Sequence, residues 1–266
     1  MTSTDLITSG PPAWPGCALG TWAAAWLAGR CAPDDVTDTL SEFADRHDVV
    51  RTADTNGPDE HARLGLLALL RGGQGLSVRL PTAGDPQGLP PGPATAAALI
   101  AGEILLVEEQ SDGTTLGLVP TLVGETCRWS AHRYDRPVAA AASDSLGQIE
   151  YDLREAVRET ADIVGTLGSS GIRMNPSALR SALAMLTARH QITLPPHDDA
   201  RAGRVIDSAA RVEAIVTLAG AQAPTFGMTA GHVELADARL RRLGALARSA
   251  RATAVNQVIA EYRRPK

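Results

Sequence analysis

The spacing of apolar positions divides the chain near residues 134–143. Before that point, short runs of helical or alternating periodicity are separated by Gly/Pro-rich turns. After it, every run repeats at three and four residues. Residues 17–30 predict a helix, with Trp22 and Trp26 four apart on one face. Asp34 and Asp35 after Pro33 open a second helix to about His47, where acidic groups suit the exposed N–H groups of a first turn. Val49 to Ala53 reads as a short strand, and Pro58 starts a third helix that stops at Gly72-Gly73-Gln74-Gly75. Leu76, Val78 and Leu80 alternate as in a strand, and residues 94–102 form a short helix. The apolar runs 104–109 and 115–119 flank Ser111-Asp112-Gly113, a hairpin signal. Residues 126–133 add a strand with Cys127, Trp129 and Ala131 inward and Arg128 and His132 outward. The fold class is therefore α+β: an N-terminal module, 11–134, with a small mixed or antiparallel sheet and helices on one face.

The second part, 143–263, predicts four helices near 143–167, 176–190, 198–222 and 229–262. Their apolar stripes, such as Leu146, Ile149, Leu153 and Leu243, Ala247, Ala250, Ala254, are narrow and alanine-rich, which favours an all-α antiparallel helical bundle. Prolines at 176, 195–196 and 224 punctuate the boundaries. The connector, Asp135-Arg136-Pro137-Val138 and four alanines, ends in Ser143-Asp144 as a helix cap.

Charge changes the picture only locally. Net charge is −5, which argues against a chain-wide nucleic-acid surface, and aromatics at 3% argue against base stacking. From residue 229 onward eight basic residues face three acidic ones, while residues 1–75 hold ten acidic against five arginines. The basic positions of the last helix scatter around its polar side, so a solvated face explains them better than nucleic acid. The one lysine, Lys266, is terminal, which excludes internal P-loop, Schiff-base and kinase-type lysines. Cys17, Cys31 and Cys127 are odd in number and lack C-x-x-C spacing, so the chain reads as residing in a reducing compartment, the cytoplasm. No positively charged signal region opens the chain, and the longest apolar stretch, Cys17 to Gly29, is too short for a membrane span.

Catalytic motifs do not emerge. Gly72–Gly75 lies in the order helix, glycines, strand, the reverse of a phosphate loop, and reads as a left-handed helix cap and turn. Gly165, Gly168 and Gly171 likewise close a helix. No G-x-S-x-G is present. His197-Asp198-Asp199 reads as the cap of the following helix rather than a metal site, because fewer than three ligands stand together. No catalytic residue, metal site or cofactor is assigned.

Two constellations stand out. Residues 81–93, rich in Pro and Gly, form a long irregular segment leaving a strand end, and such segments are often functional. Arg79, Gly84, Asp85 and Gln87 are its candidate ligand or partner residues. The second is electrostatic. Arg251 lies beside the apolar stripe of the last helix, and Glu150 lies beside that of the first bundle helix. A charge near a core is paired or reaches water, so Glu150–Arg251 is a candidate structural ion pair.

The order of Leu76-Ser77-Val78-Arg79-Leu80-Pro81, Gly84-Asp85-Pro86, Gly88-Leu89-Pro90, Ala101-Gly102-Glu103, Gly117-Leu118-Val119-Pro120 and Cys127-Arg128-Trp129 resembles a conserved family of alanine- and arginine-rich proteins of high-GC actinobacteria. The resemblance runs over most of the chain, implies a bacterial, cytosolic context and transfers no catalytic residue. The expected function is a non-catalytic interaction or regulatory protein binding a protein partner. The alternative is a small-ligand or metabolite module, or an enzyme, that uses the 81–93 loop.

Overall fold

The structure is a computed structural model that describes residues 10–51, 65–109, 114–136, 138–139, 145–169, 176–222 and 230–264. The Asp112–Gly113 turn, the helix start at Pro58, Pro224, Gly171, the N-terminal residues before Gly10 and most of the alanine connector lie outside these residues. The helices are α1 (Pro15–Leu27), α2 (Pro33–Ser41), α3 (Leu66–Arg71), α4 (Pro93–Ala101), α5 (Leu146–Ser169), α6 (Pro176–His190), α7 (Ala200–Gln222) and α8 (Ala230–Arg263). The strands are β1 (Arg46–Arg51), β2 (Gly73–Arg79), β3 (Ile104–Glu109), β4 (Thr115–Val123) and β5 (Thr126–Tyr134). The fold is α+β, with a C-terminal helical region, and its elements cluster into two units.

One unit comprises Trp14–Ser143, Ile192–Ala202 and Ala252–Lys266. It holds a five-stranded mixed sheet of order β1-β5-β4-β3-β2, in which only the β1–β5 pair is parallel. In β3, Ile104, Leu105, Leu106 and Val107 are all buried. A continuous apolar run needs cover on both faces, and it has it. Ile104 and Leu106 join Ala94 and Ala98 of α4, with Leu89, Val119 and Tyr134, in one cluster. Leu105 points the other way, towards α1: an added Cβ on Gly20 would stand 3.1 Å from Leu105 and Val78 and 3.2 Å from Ile259. Helices therefore cover both faces, correcting the one-face expectation. The same two-sided cover buries His132, expected outward, while Arg128 stays exposed and Trp129 is fully buried.

Local chemistry explains the helix starts of this unit. α1 begins after Trp14, whose backbone is left-handed (φ 73), and no neighbouring side chain caps it. Its first-turn N–H at Gly16 instead donates to Glu103 Oε2 at 2.9 Å, a buried carboxylate brought from the start of β3. In α2, Asp35 Oδ2 accepts from Ala32 N–H at 2.7 Å.

The other unit comprises Met1–Ala13, Asp144–Gln191 and Gly203–Arg251. Its helical segments pack through alanine and leucine, as where Ala182 and Leu186 of α6 meet Ala214 and Leu218 of α7. The division between the units falls inside α7 and inside α8, whereas the sequence reading drew one boundary at 134–143.

Candidate functional site

Within the sheet unit, three of the four loop residues expected to meet a ligand are engaged by the loop itself. Gln87 Oε1 accepts from Leu80 N–H at 2.8 Å, and Asp85 Oδ1 accepts from Gln87 N–H at 3.0 Å. Thr82 and Asp85 exchange two backbone bonds of 2.9 Å. Gly84 takes φ +89 and Gln87 φ +52, the left-handed conformations that close the turn. Arg79 differs. It is buried, gives bonds to the carbonyls of Val78 (3.1 Å) and Ala139 (3.2 Å), and its Nε meets no acceptor among the described residues. Burial lowers its pKa, and Glu108 and Tyr134 act in the opposite direction.

In the helical unit Arg251 is fully buried, and its carboxylate is Glu213 of α7. Arg251 NH2 stands 2.7 Å from Glu213 Oε2 and its Nε 3.4 Å from Oε1. Glu150, the expected partner, instead contacts Arg154 at 2.7 Å, one turn along, and Arg204 of α7 at 3.6 Å. A wheel places a charge on a helix face but cannot say which neighbouring helix that face meets. His190 Nδ1 lies 3.4 Å from Glu213, and burial pushes the imidazole down to about 4.

The other polar clusters serve the fold. Asp199 Oδ1 caps α7 by accepting from Arg201 and Ala202 N–H at 3.0 and 3.1 Å. His47 receives Trp129 Nε1–H at Nδ1, 3.1 Å away, and its Nε2 lies 2.9 Å from Leu40 O. Among the described residues, no group of three His, Cys, Asp or Glu could hold a metal ion, and no helix is long and apolar enough to cross a membrane.

A different place in the sheet unit has the features of a site. β2 is an edge strand, and its outer edge is met by Asn256 of α8. Val78 N–H donates to Asn256 Oδ1 at 2.7 Å, and Asn256 Nδ2 donates to Val78 O at 2.9 Å. One side-chain amide thus reproduces the pair of bonds a neighbouring strand would make. Leu76 has the same register parity as Val78, opposite Val107 where Val78 is opposite Leu105. Its N–H and C=O therefore point outward along the same edge. There a cavity of about 290 Å³ opens, lined by Ala24, Leu27 and Ala28 of α1, Gly73 to Leu76 of β2, and Ile259, Tyr262 and Arg263 of α8.

The glycines before Leu76 are explained here. Neither Gly72, Gly73 nor Gly75 has a positive φ, which corrects the left-handed-cap reading. At Gly73 the requirement is space: an added Cβ would lie 2.5 Å from Cγ1 of the buried Val107, whereas at Gly75 it would meet only the tips of Glu108 and Arg263, both more than half exposed and able to move aside. Bare backbone, with a bulge between Gly73 and Gly75, is what lets the edge form the groove floor. Sequence reasoning missed Asn256; its signal was an amide between the buried apolar Val255 and Ile259.

Similarity to known proteins covers nearly the whole chain. It is 35% identical to the uncharacterised proteins MT1533 of Mycobacterium tuberculosis (strain CDC 1551 / Oshkosh) and Rv1486c of strain ATCC 25618 / H37Rv, over 92% of this chain and 97% of each. It is 32% identical to the uncharacterised protein ML1804 of Mycobacterium leprae, with the same coverage. No solved structure matches. Residues 16–143 match the N-terminal domain and 147–252 the C-terminal domain described for Rv1486c-like proteins, and the chain belongs to that family.

Proposed function

We propose that the chain is a non-catalytic, cytoplasmic interaction protein that binds another polypeptide by strand addition at the β2 edge. The observation that supports this is the contrast along one edge: at Val78 a side-chain amide occupies the outward N–H and C=O, and at Leu76 the equivalent groups face a cavity. Peptides that extend a sheet gain affinity from such main-chain groups and specificity from flanking pockets. The apolar wall of Leu27 and Ile259 and the polar tips of Tyr262 and Arg263 provide both kinds of surface. Three free cysteines, two of them buried, suit a reducing compartment.

The test uses a fluorescein-labelled pool of neutral tetrapeptides rich in Val, Thr and Ser. Anisotropy should rise with the whole protein. It should stay flat when the peptide backbone is N-methylated, which removes the donors of a strand, and with Ala28→Trp, which fills the groove from an exposed position. Binding that survives both changes overturns the proposal.

Arg79 supports a second reading, a small anionic ligand held beside the 81–93 loop. A buried guanidinium whose Nε meets no acceptor among the described residues favours an acceptor there. Inorganic phosphate should raise the melting temperature of the wild type and leave Arg79→Met unmoved; equal shifts in both reject this reading.

A further inference from the structure

Resting on the strand-addition reading, we infer that the β2-edge groove selects an extended segment of about four residues carrying a side-chain carboxylate, read by Arg263. The length follows from the floor. The open edge runs from Gly73 to Leu76 and is closed beyond it by Asn256 at Val78. Four residues at about 3.3 Å each span roughly 13 Å. The cavity, about 290 Å³, lies at the small end of the ligand-pocket range of about 300–1,000 Å³. That room suits a short stretch of main chain with one or two side chains, and excludes a helix.

Charge sets the chemistry. Asn256 and Arg263 lie seven residues apart on α8, two turns of one helix face, so the amide marks one end of the groove and the guanidinium the other. The last turn of α8 is held in place: Glu261 accepts from Asp198 N–H at 2.8 Å and Asp199 N–H at 3.3 Å, and Tyr262 OH donates to Pro196 O. Arg263 therefore projects from a fixed base into the lining. Its partner in the protein is Glu108, 3.8 Å away, with both side chains more than half exposed, a weak attachment that an incoming carboxylate can replace. Arg30, exposed, acts on Tyr262 as a positive charge from the same side, while Glu261, the larger of the charged influences there, and Asp198 act in the opposite sense. Glu108, Glu261 and Asp198 are opposing charges at this end, so the selectivity rests on Arg263 and is modest. Leu27 and Ile259 offer apolar contact to a side chain on the peptide face away from the carboxylate.

The experiment compares three tetrapeptide pools, all N-acetylated and C-amidated so that charge comes from side chains alone. One alternates Val with Glu or Asp, one with Gln or Ser, and one with Lys. At low salt the acidic pool should bind the whole protein about two- to fivefold tighter than the neutral pool, within the range one exposed ion pair supplies. Arg263→Gln should bring the acidic pool down to the neutral one without changing the neutral pool, and added salt should do the same to the wild type. Equal affinity of acidic and neutral pools, a preference for the basic pool, or an Arg263→Gln variant that keeps the preference would overturn this inference while leaving strand addition standing. Failure of every pool to bind would overturn both.

Discussion

Arg251 and Glu213 meet inside the helical unit with a guanidinium-to-carboxylate distance of 2.7 Å, and the side chains are 0% and 5% exposed. Neither charge has water to return to, so each depends on the other. Arg251→Met removes the guanidinium 2.7 Å from the buried Glu213 carboxylate, leaving His190 beside it at 3.4 Å, and should cost about 3–5 kcal/mol. Adding Glu213→Leu removes the stranded charge and should recover most of that loss. Urea unfolding at constant slope reads both effects. An Arg251→Met protein as stable as wild type would show that Glu213 finds another route to neutrality.

His190 makes stability depend on pH through the same cluster. Burial holds its folded pKa near 4, below the ordinary 6.5; Glu213 raises it, and Arg251, Arg189 and Arg248 lower it. The unfolded chain takes up a proton below about 6.5 that the folded chain refuses. The stabilising contribution is therefore complete above pH 6.5 and declines as pH falls towards 4, by up to about 3 kcal/mol. His190→Gln should flatten this part of the profile in denaturant titrations at about pH 7, 5.5 and 4.5. Parallel profiles for wild type and variant would assign the acid sensitivity to other groups.

What was legible in the chain follows from what is local. Helix and strand spacing depends on neighbours along the sequence, so α5 to α8 and β3 to β5 lie close to where periodicity puts them. The continuous apolar run Ile104 to Val107 carries the signal of a sheet covered on both faces, which the expectation of helices on one face did not use. Partners distant in sequence were not legible. Gly73 is set by Val107 on the paired strand, so the glycine run reads as a cap from the sequence alone. Arg251 was readable as a buried charge, but its carboxylate depends on which helix is adjacent. Asn256 was readable as an amide in an apolar stripe, but the strand it serves is 178 residues away.

The 81–93 loop should behave as a structural element. Gln87 supplies the acceptor for Leu80 N–H from a left-handed backbone, φ +52. Gln87→Gly relaxes that backbone but removes the acceptor; Gln87→Asn keeps an amide that tolerates the left-handed region but is one methylene shorter. Loss of the half-buried bond should cost about 1 kcal/mol in Gln87→Ala, with Gln87→Gly regaining a few tenths through the backbone. Chemical denaturation orders the three variants. A stable Gln87→Ala protein would return the side chain to the pool of ligand candidates.

Asn256 carries the last prediction because it separates the closed part of the β2 edge from the open part. Its amide both accepts from and donates to Val78, so the two halves can be tested apart. Asn256→Asp keeps an acceptor for Val78 N–H and replaces the donor with an oxygen that faces Val78 O, setting two acceptors against each other. Asn256→Leu removes both bonds while improving helix propensity by a few tenths of a kcal/mol. An unmade bond to a partly buried backbone group costs about 1–3 kcal/mol, so both variants should lose stability, and the helix gain should not offset it. Hydrogen exchange makes the assignment specific. The Val78 amide should exchange faster in Asn256→Leu and remain protected in Asn256→Asp, whereas the Leu76 amide, which faces the cavity, should be fast in wild type and unchanged by either substitution. Asn256→Leu also lengthens the exposed edge, so a concentration-dependent rise in self-association is expected in that variant, as bare strand edges pair with one another. A Leu76 amide as protected as Val78 in the wild type would mean the edge beside the cavity is already filled, and the groove would then have no strand left to add.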